Sequence, residues 1–208
     1  MVTRAASPAR MSAGERREQL LDTTKAIVDR RGFHAVSIEA VAREAGITRP
    51  VVYSHFHDLP GLLEALVDRE AVRASTQLAA VLPSDLAGGD PRERLFSALR
   101  GYLRAVEEDP ATWRLVLVTP EGAPDILREQ IAQGRAAAIA QLAAAVVPVF
   151  GGGRESPDPE MTARTLSALA DEAARLLLAD PERYPAERIL SHARWFLGQL
   201  LFEGSGSA

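Results

Sequence analysis

The chain has 208 residues, 47% of them hydrophobic and 5% aromatic, with no cysteine and a net charge of −4. That length and apolar content suffice for one or two packed cores, which excludes a disordered chain, and the missing cysteines exclude disulfides and thiolate metal sites. The acidic mean argues against indiscriminate coating of nucleic acid, yet residues 1–60 carry nine Arg or Lys against seven Asp or Glu, leaving +2 there and −6 in the remainder. Ala and Leu are abundant and runs of strand formers are missing, so the expected fold class is all-α. The first thirteen residues lack the apolar stretch of a signal peptide, and no later segment reaches the length of a membrane span. A cytoplasmic protein with no membrane partner is expected.

Residues 1–11 read as a flexible basic tail in which Arg4 and Arg10 are solvated. "SAGE" at 12–15 has capping-box spacing, and Leu20, Leu21, Thr24, Ile27 and Val28 then recur at helical spacing until Gly32, predicting a helix over 13–31. Ser37 caps a second helix, with Ile38, Val41, Ala42 and Ala45 on one face and Gly46 as its stop. Thr48 caps a third, Pro50 lies in its first turn, and Val52 and Phe56 fall four apart on its inner side. Asp58 caps a fourth helix, which carries Leu62, Leu63, Leu66 and Val67 and runs to about Leu82.

"PSDLAGGDP" at 83–91 marks a loop. Beyond it, Asp90-Pro91, Asp109-Pro110, Asp158-Pro159 and Asp180-Pro181 read as capping acids followed by first-turn prolines, the last alternatively as a turn after a helix. They predict helices near 91–107, 110–118, 123–147, 158–179 and 185–202. "VFGGGRESPDP" is a second connector, and residues 204–208 form a disordered tail.

The segment "SIEAVAREAGITRPVVYSHF" at 37–56 joins two short helices through a tight turn at Gly46-Ile47, with Val41, Ala42, Ala45, Ile47 and Val52 inward. This is the pattern of a helix-turn-helix, whose second helix enters a DNA major groove. From residue 14 to about 74 the chain resembles the TetR family of transcriptional repressors. The resemblance rests on "RRGFHAVSIEAVAREAGIT", "VVYSHF" and "LLEAL" in fixed order. Beyond residue 80 it is one of helical layout only.

That resemblance implies an N-terminal three-helix helix-turn-helix DNA-binding domain, residues 12–57, joined to a C-terminal helical ligand-binding and dimerisation domain, residues 58–203. It places the DNA-facing side of the recognition helix on Thr48, Arg49, Pro50, Val51, Tyr53, Ser54 and His55. Arg49 is the candidate base reader, since a guanidinium can donate twice to guanine O6 and N7. Tyr53, His55 and Ser37 are candidate phosphate contacts. Leu59 departs from the family, which often has a phosphate-binding lysine near there, and the contact is either lost or moved to His57.

His55-Phe56-His57-Asp58 also looks like a metal-binding cluster. Residues two apart in a helix point about 200° from each other, so the two imidazoles cannot converge on one ion unless the segment is a strand or an irregular loop. No metal or cofactor is expected.

"ILSHARWFLGQLLF" at 189–202 is apolar nearly all round and needs cover on two sides. The resemblance supplies the second cover as a partner subunit in a four-helix homodimer interface, drawn from Leu166, Leu169, Ala173, Leu176, Ile189, Ala193, Phe196, Leu197 and Leu200. A buried core helix in a monomer is the competing account. A ligand pocket is likewise implied, with Tyr102, Trp113, Arg114 and Glu172 as candidate lining groups. The expected function is a non-enzymatic, dimeric repressor, released from a quasi-palindromic double-stranded DNA operator by an apolar small-molecule effector. Two other readings stay open: a helical metal-dependent hydrolase using His55, His57 and Asp58, and an interaction module that has lost DNA binding.

Overall fold

The computed structural model describes residues 11–82, 84, 89–118, 122–150 and 158–200, except the side chains of 148–150 and 197–200. Arg4, Arg10, the final tail and the side chains of Leu197 and Leu200 therefore lie outside the described residues. Among those described there are nine α-helices, one 3-10 turn and no strand, an all-α fold. Backbone contacts divide the chain into two units, Met1–Leu66 and Val67–Ala208, with one helix running through the division.

In the first unit, α1 (Ala13–Arg31) starts at the expected capping box. Ser12 Oγ accepts from the Glu15 amide at 3.2 Å, while the Ser12 amide donates to the Glu15 carboxylate at 2.7 Å. Gly32 ends it at φ 79°, a conformation only glycine adopts cheaply, and a 3-10 turn over Phe33–Ala35 follows. Three residues are too few to show a period, which is why the sequence does not reveal that turn.

Next come α2 (Ile38–Glu44), α3 (Arg49–Phe56) and the start of α4 (Leu59–Val81). Leu20, Ile27, Val41, Val52, Leu62 and Leu66 are fully buried and form the centre of this unit. Each such side chain contributes about 1.5–3 kcal/mol on burial. The periodic positions were legible because a short helix must place its few apolar residues on one side to bury them at all.

In the second unit α5 (Pro91–Glu108), α6 (Pro110–Leu117) and α8 (Pro159–Ala179) each begin at the expected Asp-Pro pair. Asp90, Asp109 and Asp158 accept backbone amides of the first turn. Asp180-Pro181 instead makes a turn, in which the Tyr184 amide donates to the Asp180 carbonyl at 2.8 Å before α9 (Ala186–Leu200) begins.

Between α6 and α8 lies α7 (Asp125–Phe150), which continues three residues past the expected end and includes Pro148. A proline near a helix end forfeits one backbone hydrogen bond and already holds a helical φ, so the last turn survives it. The helix α8 packs on α5, α6 and α7, while α9 packs on α5. Leu103, Val106, Trp113, Ala174 and Leu177 make one buried cluster, and Leu142, Ala145, Val146 and Ala163 a second.

Candidate nucleic-acid interface and effector cavity

Recognition geometry in the first unit depends on how α3 is set against α2. The Gly46 amide donates to the Arg43 carbonyl at 3.3 Å and the Ile47 amide to the Ala42 carbonyl at 2.9 Å, with Gly46 at φ 68°. These are the paired bonds of a Schellman turn, which satisfies the last carbonyls of α2 and redirects the chain. Behind α3, Val52 and Phe56 are 0% and 5% exposed. One side of an eight-residue helix is thus anchored, and the other is presented.

Along the helix and its cap, Thr48, Arg49, Pro50, Tyr53 and Ser54 are exposed, while Val51 and His55 are half-buried. Thr48 holds the N-cap position by its extended backbone, but its side chain makes no cap hydrogen bond; this corrects the expectation that its hydroxyl caps the helix. Pro50 leaves fewer amides there to cap. The Ser54 hydroxyl donates to the Val51 carbonyl at 2.8 Å. Ser37 is half-buried and its Oγ accepts from the Ala40 amide at 3.1 Å, at the N-terminus of α2.

Arg49 Nη1 meets Glu39 Oε1 at 2.7 Å. The bond to Arg49 holds the Glu39 carboxyl below its ordinary range, and Glu39 in turn raises Arg49, so both stay charged.

Arg17 of α1, not anticipated from sequence, secures the far end of α3. Its guanidinium lies 4.5 Å from the Phe56 ring centroid and donates to the His55 carbonyl at 3.2 Å. The available signal was its place on α1 four residues before Leu21, on the flank of the apolar face, which periodicity treats as surface.

The tetrad at 55–58 is a helix end. His57 has φ 61°, the Asp58 amide donates to the Phe56 carbonyl at 2.6 Å, and Asp58 Oδ1 accepts from the Gly61 amide at 2.8 Å. Asp58 is thus occupied as the cap of α4. Among the described residues no group of three His, Asp or Glu is placed to hold a metal ion. Leu59 is half-buried at the start of α4, and His57 beside it is exposed.

Helices α4 to α9 of the second unit surround a cavity of about 610 Å³, within the usual range for small-molecule sites. Its wall is mainly Leu, Ala, Val and Ile side chains. Of the expected ligand contacts, Tyr102, Trp113 and Glu172 line it, and Arg114 does not. The expected interface residues Leu166, Leu169, Ala173, Leu176, Ile189, Ala193 and Phe196 line it too.

Several polar groups of the wall are already hydrogen-bonded or ion-paired. Tyr102 donates to Asp171 Oδ1 at 3.2 Å, Arg135 Nη2 lies 2.8 Å from Asp171 Oδ2, and Trp113 Nε1 donates to Gln77 at 2.9 Å. Burial pushes both the Tyr102 hydroxyl and the Asp171 carboxyl up. Glu70, 1% exposed, lies 2.8 Å from Arg69 Nη2 and also accepts from Thr112 Oγ1. Sequence reasoning missed Glu70, Arg135 and Asp171. For Glu70 the signal was an acid four residues beyond Leu66, continuing an apolar stripe.

Residues 20–66 match the family model of the bacterial regulatory proteins of the tetR family, and residues 91–197 that of the tetracyclin repressor-like C-terminal domain. The chain belongs to the TetR family. Among TetR proteins it is 37% identical to the transcriptional repressor KstR of Mycolicibacterium smegmatis over 98 residues, 46% of each chain. It is 30% identical to the transcriptional activator FasR of the same organism over 107 residues, 51% of this chain and 48% of that one. The chain thus spans about half the length of these curated relatives. A TetR-like regulator from Rhodococcus sp. RHA1 superposes with a TM-score of 0.70 at 25% identity, covering 91% of this chain and 100% of that one. Among the described residues no helix is long and apolar enough to cross a membrane.

Proposed function

We propose that this TetR-family chain is a homodimeric, effector-responsive transcriptional repressor. Two copies of α3 would enter successive major grooves of a quasi-palindromic operator, about 34 Å apart. The observation that carries the reading is the outward display of Thr48, Arg49, Pro50, Tyr53 and Ser54 on a helix whose Val52 and Phe56 are buried. Arg49 would read a base, and Tyr53, His55 and the helix end at Ser37 would hold phosphates.

The effector would occupy the cavity of the second unit. With Tyr102, Asp171 and Arg135 already bonded to one another, a molecule with an apolar body fits better than one needing many polar partners. Binding alone releases nothing: the effector must favour one of two states that differ in affinity for DNA. Helix α4 supplies the covalent route, because its later turns line the cavity and its first turn adjoins α3.

Dimerisation through α8 and α9 is supported by large apolar side chains left exposed there away from the cavity: Met161 at 59% and Trp195 at 61%. The inner sides of these helices, including Leu166 and Ile189, would wall the cavity while the outer sides meet the partner.

The test is selection of duplexes from a random library by the full-length protein, followed by a release screen with apolar small molecules. Enrichment of a two-fold repeat, release by a compound, and a change in Trp113 fluorescence on binding that compound are expected. A protein that enriches no sequence does not have this function.

A further inference from the structure

The pair Glu39–Arg49 connects the first turns of α2 and α3 at 2.7 Å, with the two side chains 57% and 61% exposed. An ion pair this open adds little to stability. Nor is it the only thing joining the two helices, which pack on each other and bury Val41, Ala42 and Val52 in the core. What it does determine is where the guanidinium points.

Only Nη1 of Arg49 is engaged among the described residues. The edge formed by Nε and Nη2 remains open, and two parallel donors are what guanine O6 and N7 require. Anchoring one nitrogen leaves less freedom to lose when the other two find a base. The carboxylate has a second effect, because the ion pair as a whole carries no net charge and so offers a phosphate less attraction than a lone guanidinium would. Glu39 stays ionised, its carboxyl held below the ordinary range by the bond to Arg49.

We propose that Glu39 is a positioning residue that sets base selectivity, by holding the Arg49 guanidinium in its reading direction and denying it to the DNA backbone. This rests on the DNA-binding function proposed above. It assigns selectivity to a residue of α2, outside the recognition helix.

The experiment uses the full-length chain as wild type, Glu39→Ala, Glu39→Gln, Arg49→Ala and the Glu39→Ala/Arg49→Ala double variant. Each selects duplexes from a random library, and each is then titrated at several salt concentrations on the enriched duplex and on a scrambled one. Wild type should prefer a G·C pair at one position of each half-site, and Arg49→Ala should lose that preference. Glu39→Ala should lose it at the same position by about five- to tenfold. Its affinity for scrambled duplex should rise, and its salt dependence should steepen by about one phosphate contact. The double variant should discriminate no worse than Arg49→Ala. Glu39→Gln keeps an acceptor without the charge and should fall between wild type and Glu39→Ala, giving a second reading if the alanine variant folds poorly.

Wild-type preference retained in both Glu39 variants overturns the proposal, as does an equal loss on both duplexes. A loss at a different base pair from that of Arg49→Ala also overturns it, because Glu39 would then read a base itself. Enrichment of no sequence by the wild type rejects the DNA-binding function, whereas enrichment with unchanged Glu39 variants rejects only the role of Glu39.

Discussion

Asp171 sits in the wall of the cavity between a buried tyrosine and a half-open arginine, and burial outweighs both in setting its charge. Its carboxyl is raised, with Arg135 and the Tyr102 hydrogen bond pulling the other way. A carboxyl raised on folding binds its proton more tightly in the folded chain. Its contribution to stability is therefore complete below the ordinary carboxyl range and is lost as pH climbs through the raised value. Asparagine keeps an acceptor for the Tyr102 hydroxyl and never ionises. The melting temperature of Asp171→Asn relative to wild type should therefore rise with pH across the mildly acidic range, as thermal unfolding at a series of pH values would show. A difference independent of pH would mean that Arg135 and the Tyr102 hydrogen bond offset the burial of Asp171 in full. The sequence did not disclose this group, because an acid followed by another acid, Asp171-Glu172, reads as a solvated helix face until neighbouring helices are placed around it.

Only two residues separate α3 from α4, and the tightness of the junction is visible at His57 and at Gly61 in the first turn of α4. His57 adopts φ 61°, a region that a non-glycine residue enters rarely. Gly61 lies so near that a Cβ there would stand 2.6 Å from the Phe56 carbonyl oxygen. That oxygen belongs to the backbone at the end of the recognition helix and cannot rotate away. Gly61→Ala should cost about 1–3 kcal/mol through overpacking, partly offset by alanine's better helix propensity. The midpoint of urea unfolding should fall without a change in slope, and an unchanged midpoint would show that the junction has room.

Most caps were legible, as Ser12, Ser37, Asp58, Asp90, Asp109 and Asp158 show, Thr48 being the exception. A cap is a local hydrogen bond between residues two or three apart, and its chemistry is written in adjacent letters. The 3-10 turn, the clasp of Arg17 on α3 and the passage of α7 through Pro148 were not legible. Each depends on how a short segment is supported by another.

A single copy of the chain leaves Trp195 61% exposed on α9, alongside His192 at a ring separation of 5.7 Å. Trp195 does not line the cavity, so a substitution there addresses assembly without altering the pocket. Trp195→Glu should convert the proposed dimer to a monomer in sedimentation. It should also weaken binding to a two-half-site duplex by about a hundredfold, the avidity lost when two linked contacts become one. Binding to a single half-site should barely change. A variant that still sediments as wild type would place the dimer seam elsewhere.

The α-helices, most of their caps and the helix-turn-helix were determined by the amino-acid order alone, because each follows from periodicity and short-range hydrogen bonding within one or two turns. The inward sides of Val52 and Phe56 belong to the same class, being fixed by the 3.6-residue repeat, whereas Arg49, three residues before Val52 and seven before Phe56, is exposed because it opens the helix and meets Glu39 of α2. Only the tertiary structure decided that Glu39 pairs with Arg49, that Arg17 holds the end of α3, that Glu70 is buried and that Asp171 is partly so. It also decided that the apolar sides of α8 and α9 wall a cavity. These are meetings between residues far apart in the chain, and their energies depend on distance and burial, quantities that exist only once the helices have packed.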